Sequence, residues 1–349
     1  MPTLNDIARK AGVSAPTVSR ILSPKDGVIP AKMSTIQKVR KIAESLNYSP
    51  NAAARSLAIR RTDNIGVVLD TLRNTPGESP VWSQILAGVL NEVRLQHLNC
   101  MMTVENYSAS NKFRLPEAVR QKNVDGLIIT HPLGTTDSNV LQEFIDNGVP
   151  FVVLSAASSD PRVWSVCCDP NPGYMDAFTY LCELGHRKVG YCVYPQWNAA
   201  ENREKMFPSK NIFKNYNMEF VPVEVDLAKN SHIQEGQRLA EQIISGGLDI
   251  TAIVMGDSIS AELLNSLNEQ GIKVPDDFSI IGLDDTYICQ CTSPKLSSLA
   301  SPLVEMGQIA VRLLQDAVKA KQGGLTVSAR NIILPKKFVI RKSTGPLKR

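Results

Sequence analysis

Between Val13 and Ile21, the residues Val13, Val18 and Ile21 repeat on one apolar face. That leaves Ala15, Pro16, Thr17, Ser19 and Arg20 on the other. Hydroxyls and an arginine on one short surface suit nucleic acid: hydroxyls bond phosphate oxygens, and a guanidinium forks onto a guanine edge. Catalytic chemistry needs a different constellation. The chain has no G-x-S-x-G, no phosphate loop and no G-x-G-x-x-G after its first strand-like run. Asp284-Asp285 is a carboxylate pair, but neighbours on an extended segment point apart. The seven Cys are odd in number and form no C-x-x-C, and most lie within apolar runs, where Cys acts as a small hydrophobe. No enzyme, metal or cofactor is expected.

The elements that hold the outer face are short helices. Thr3 caps the first, and Asp6 three residues on completes a capping box. Leu4, Ile7, Ala8 and Ala11 give its apolar stripe, and Gly12 stops it in a left-handed conformation. Ser14 caps a second helix, with Pro16 tolerated in its first turn. A third helix is expected from Ser34 to Leu46, with Lys38, Arg40 and Lys41 outside. Two helices around so tight a turn can set the second in a DNA major groove. Charge agrees: residues 1–61 hold eleven Lys/Arg against three Asp/Glu, a net of +8, while the whole chain is only +4. A basic head on a mildly acidic body meets a polyanion.

Residues 49–61 read as a hinge. Ser49 caps and Pro50 starts a helix of about nine residues, too short to be stable alone in water. Ala53, Ala54 and Leu57 share a face that suits close helix pairing and an apolar wedge into a minor groove. From Asn64 on, short apolar runs alternate with helical patterns, which is βαβ architecture with parallel sheets. The cycle restarts near Trp164, so two doubly wound lobes with a cleft between them are expected. Their bounds read as 62–162 with 293–325 and 163–290 with 326–343. No signal peptide precedes the helices and no run reaches transmembrane length, so a cytoplasmic protein is expected.

The stretches TLNDIARKAGVSAPTVSRIL, YSPNAAARSLA, NIGVVLD, ELGHRKVGY, VPDDFSIIGLDD and FVIRKST resemble the lactose/galactose-repressor (LacI/GalR) family, in that family's order and over almost the whole chain. The resemblance implies a small all-α helix-turn-helix head (1–48), a hinge (49–61) and a periplasmic-binding-protein-like α/β core (62–349). It implies a regulator, most often a repressor, that binds double-stranded operator DNA as a homodimer under control of a small effector. Ala15, Pro16 and Arg20 match positions that read bases. Thr17 and Ser19 match positions near the backbone. In the hinge, Asn51, Ala54 and Leu57 are the DNA-facing candidates, with Leu57 matching the leucine inserted at the central base step. Pro16 cannot donate a hydrogen bond, Ala58 replaces a basic minor-groove residue of some members, and the loop Lys25–Met33 is longer than usual.

In the core the resemblance places Val81 and Trp82 at the cleft, Asp169 after the first strand of the second lobe, Arg203 as an effector clamp, and Asp284 as the first of an Asp-Asp pair. Trp197 precedes Arg203 by six residues and faces the same cleft on this reading. Gly256 stands before Asp257 where an Asn is common. Carboxylates accept from hydroxyls, Arg donates in a fork and Trp stacks on a ring, so a sugar, sugar acid or sugar phosphate is expected. A purine fits less well, because Trp197 takes the place of a purine-binding arginine. A free sugar-binding protein is the alternative, but it leaves the basic head unexplained.

Overall fold

A computed structural model describes residues 2–22, 31–48, 61–70, 79–105, 115–130, 138–155, 160–194, 216–227, 229–324 and 328–347. The chain divides into two compact units, Met1–Thr62 and Asp63–Arg349.

In the first unit, α1 (Leu4–Ala11), α2 (Ala15–Leu22) and α3 (Met33–Ser45) enclose Ile7, Ala8, Ala11, Val18, Ile21, Ile36, Val39 and Ala43. That core is thin, so local devices matter. The Thr3 hydroxyl accepts the Asp6 N–H at 3.3 Å, and the Asp6 carboxylate accepts the Thr3 N–H at 3.0 Å. The Thr3 hydroxyl also donates to the Asp6 carboxylate at 2.8 Å; that bond first, and then the one from the Thr3 N–H, hold the Asp6 carboxyl below its ordinary pKa. Gly12 sits at φ +71° and donates to the Ala8 carbonyl at 2.9 Å, closing α1.

The second unit runs β1 (Asn64–Asp70), α4 (Pro80–Leu95), β2 (Asn99–Glu105), α5 (Glu117–Arg120), β3 (Gly126–Thr130), α6 (Ser138–Asp146), β4 (Phe151–Leu154) and β5 (Trp164–Asp169). It continues with α7 (Asn171–Glu183), β6 (Lys188–Val193), β7 (Glu219–Glu224), α8 (His232–Ile244), β8 (Ala252–Val254), α9 (Asp257–Glu269) and β9 (Ser279–Asp284). The last elements are α10 (Ile288–Cys291), β10 (Ser297–Ala300), α11 (Leu303–Gln322), β11 (Asn331–Pro335) and β12 (Lys337–Val339). Two six-stranded sheets result, in the orders β11-β5-β4-β3-β1-β2 and β12-β10-β9-β8-β6-β7. All pairings are parallel except β10 with β12. Helices cover both faces of each sheet, which is why β4 and β8 are buried at every residue and read as unbroken apolar runs. Among the described residues, no helix is long and apolar enough to cross a membrane.

The expected lobe bounds need three corrections. β5 pairs with β4 and belongs to the first sheet, not the second. β10 pairs with β9 in the second sheet, and β11 pairs with β5 in the first. The chain therefore crosses between lobes after Asp169, after Ala300 and after Pro335. Local pattern cannot assign these strands, because a strand buried on both faces looks alike in either sheet.

Candidate nucleic-acid interface and effector cleft

On α2, the buried Val18 and Ile21 fix which side turns outward. Pro16, Ser19 and Arg20 are exposed. Ala15 is half-buried and packs on the head's core, so its place on the outer face is corrected: it fills space beside the core as well as meeting solvent. Thr17 is also half-buried, its hydroxyl 2.9 Å from that of Ser14, which accepts the Thr17 N–H at 3.4 Å. On α3, Lys38, Arg40 and Lys41 are exposed, as their spacing predicts. The face so formed has an exposed guanidinium at one end and hydroxyls beside it. Asn51, Ala54 and Leu57 lie outside the described residues.

The polar centre of the core forms where strand burial ends. β5 and β9 are each buried for four residues and then open at their last two, Cys168-Asp169 and Leu283-Asp284. Open α/β sheets bind ligands at such carboxyl ends. Asp169 accepts from the Asn171 N–H at 3.0 Å and from its side-chain amide at 2.8 Å. One oxygen of Asp284 accepts from the Ser301 hydroxyl and from the Lys336 ammonium, each at 2.7 Å. Burial alone would depress the Lys336 pKa, but the Asp284 charge and hydrogen bond outweigh it and hold the ammonium above its ordinary value. Asp285 leaves in another direction and pairs with Arg341 at 2.6 Å. The two aspartates do point apart, although not as an extended segment: both have positive φ, +92° and +51°.

Beneath them, Asp257 is buried in the first turn of α9. It accepts from the Thr286 N–H at 2.7 Å, the Thr286 hydroxyl at 2.8 Å and the Ser298 hydroxyl at 3.0 Å. Burial, and then the Asp284 charge, push its carboxyl up to about 6 against those donors. Gly282 makes this possible, since a methyl there would land on the Asp257 carboxylate. Gly256 leaves room beside the buried Tyr194 hydroxyl, 3.2 Å from where a Cβ would stand. Val81 and Trp82, in the first turn of α4, are half-buried and pack against the first lobe's core. Trp197 and Arg203 lie outside the described residues. Among the described residues, no group of three or more His, Cys, Asp or Glu could hold a metal ion.

Two family models match. Residues 3–51 match "Bacterial regulatory proteins, lacI family", and residues 178–344 match "Periplasmic binding protein-like domain". The protein belongs to the LacI family. It is thus a DNA-binding transcriptional regulator, in a family of non-enzymes, with a helical head and a periplasmic-binding-protein-like effector core. NTD biosynthesis operon regulator NtdR of Bacillus subtilis is 27% identical to it, over 99% of this chain and 100% of that one. Catabolite control protein A of Streptococcus mutans is 29% identical over 92% of each. Among solved structures, the Lac repressor dimer bound to operator and the anti-inducer ONPF aligns over 99% of each chain, at 25% identity and a TM-score of 0.77.

In this LacI-family core, Asp169 and Asp284 end strands of different sheets, β5 and β9, and Lys336 reaches both, its N–H donating to the Asp169 carbonyl and its ammonium to the Asp284 carboxylate. The corrected topology moves Asp169 to the last strand of the first lobe before the crossover, not the first strand of the second. The sequence reading missed Ser301, Lys336, Thr286, Ser298 and Arg341. Lys336 carried some signal, as the single basic residue between β11, which ends at Pro335, and β12, which starts at Lys337. Ser301 and Ser298 carried none, because a lone serine after a strand is ordinary.

Proposed function

We propose that this regulator is a sequence-specific repressor, and that a sugar, sugar acid or sugar phosphate in the interlobe cleft sets its operator affinity. The observation that carries the DNA half is the exposed guanidinium of Arg20 on α2, within a head of net charge +8. A bidentate arginine at a base edge discriminates by ~1–3 kcal/mol, and the surrounding positive charge supplies phosphate affinity. Pro16 and Ser19 complete the exposed surface, with Thr17 and Ala15 at its margin. Asn51, Ala54 and Leu57, outside the described residues, are further candidates for DNA contact on this reading.

The effector half rests on Asp169, Asp284, Val81 and Trp82, with Arg203 and Trp197 as further candidates. Similar solved structures favour this class of ligand: one is a transcriptional regulator CelR–cellobiose complex, and another is a LacI family transcriptional regulator from Enterococcus faecium with bound ribose. The protein acts as a homodimer in the cytoplasm on this reading, as does the operator-bound Lac repressor dimer in its assembly. Selection of bound duplexes from a random pool tests it. The full chain should enrich a two-fold-symmetric site, and Arg20→Ala should relax one position per half-site. Enrichment of no sequence would refute a sequence-specific regulator.

A further inference from the structure

Three segments connect the lobes; Lys336 lies in one, touches another directly and reaches the remaining one through Asp284. Lys336 is the single residue between β11 of the first sheet and β12 of the second. Its N–H donates to the Asp169 carbonyl at 2.9 Å, at the start of the first crossover. Its Cβ lies against the first turn of α7, 3.1 Å from where a Cβ on Gly173 would stand. Its ammonium reaches Asp284 at the end of β9, on the same oxygen that takes the Ser301 hydroxyl of the second crossover. The Ser301 N–H also donates to the Asp284 carbonyl, at 3.2 Å. The side chains of Lys336 and Asp284 are 13% and 25% exposed.

We propose that Lys336 is a positioning residue of the effector site, which clamps Asp284 across the lobe boundary and so ties the state of that carboxylate to the relative position of the lobes. Breaking a mostly buried pair by removing one partner leaves an uncompensated charge, so the clamp holds only while both are present. A ligand hydroxyl donating to Asp284 competes for a carboxylate with one oxygen already doubly used. It therefore either takes the remaining oxygen or displaces the ammonium, and displacement frees the crossovers. The consequence for ligands rests on the assignment of Asp284 to the effector site; the clamp itself does not.

A ligand-free test keeps the two apart. Amide exchange is measured on the full-length chain for wild type, Lys336→Met, Asp284→Asn, the double variant and Lys336→Arg. Each single neutral variant should speed exchange at Ser301 and Lys336 by ~10-fold or more, while Val152 and Ile280 inside the lobes keep wild-type protection. The double variant should exchange about as fast as either single one, far below the product of the two single effects, and Lys336→Arg should stay near wild type. Effects that multiply independently would overturn the clamp. So would crossover amides unmoved by either substitution, or acceleration spread equally through both lobes. If a single variant fails to fold, the comparison of the double variant with Lys336→Arg decides: crossover exchange alike in these two and in wild type would overturn it.

Discussion

Asp257 shows how one residue's environment becomes a measurable quantity. Its carboxyl rises to about 6 on folding, against 3.8 in an unfolded chain. Between those values the folded state binds more protons, so this group's contribution to stability is fully present below pH 3.8 and is lost as pH rises through about 6. Its size is roughly 3 kcal/mol. His186 works in the other sense. It is buried among Thr251, Ser279 and the Gly345 carbonyl, and burial holds its pKa below 6.5. Its contribution is lost as pH falls below 6.5. Urea unfolding across pH 4 to 7 should therefore show Asp257→Asn losing the component that declines with rising pH, leaving the His186 rise exposed. A wild-type profile in that variant would contradict the assignment. Gly282→Ala tests the same site sterically. The added methyl displaces the Asp257 carboxylate, and a loss of ~1–3 kcal/mol is expected in thermal unfolding.

At the scale of elements, α4 and α11 cross where Gly88 and Gly307 let backbones touch. A methyl on Gly88 would meet the Val304 carbonyl, and one on Gly307 the Ile85 carbonyl. Gly→Ala inside a helix ordinarily gains about 1 kcal/mol from propensity. Gly88→Ala should instead lose roughly 2 kcal/mol or more, because the helices must separate. A raised melting temperature would contradict that packing. The existence and order of most elements were legible in the sequence, since both-face burial writes strands as apolar runs and helices as 3.6-residue stripes. Membership of β5, β10 and β11 was not, because pairing partners lie far away in the chain. The four-residue α10 was too short to show a period. The same limit applied to the cleft. Asp284 was visible as a carboxylate ending a run, while Lys336 and Ser301 acquire meaning only when three crossovers converge.

At the scale of the whole molecule, the proposed function rests on the charge of the head and on the arrangement of the two lobes. In the proposed dimer, two heads of +8 would neutralise several phosphates, so steep salt dependence is expected. Removal of residues 1–62 should abolish DNA binding and spare effector binding in the two-lobed core. Asp284→Ala should weaken the effector by roughly 2 kcal/mol or more in calorimetry, and a sugar screen by thermal shift supplies the ligand. An effector controls the operator only by the difference in its affinity for two lobe arrangements, so the shift in one equals the shift in the other. The most direct measurement is the affinity of the full chain for its selected duplex as salt is raised from about 50 to 200 mM. Neutralising ~6–10 phosphates predicts a fall of roughly 10³–10⁵-fold, linear in log salt, with Arg20→Ala discriminating poorly among sequences at every salt. A flat response, with equal affinity for unrelated duplexes, would contradict DNA recognition by this head.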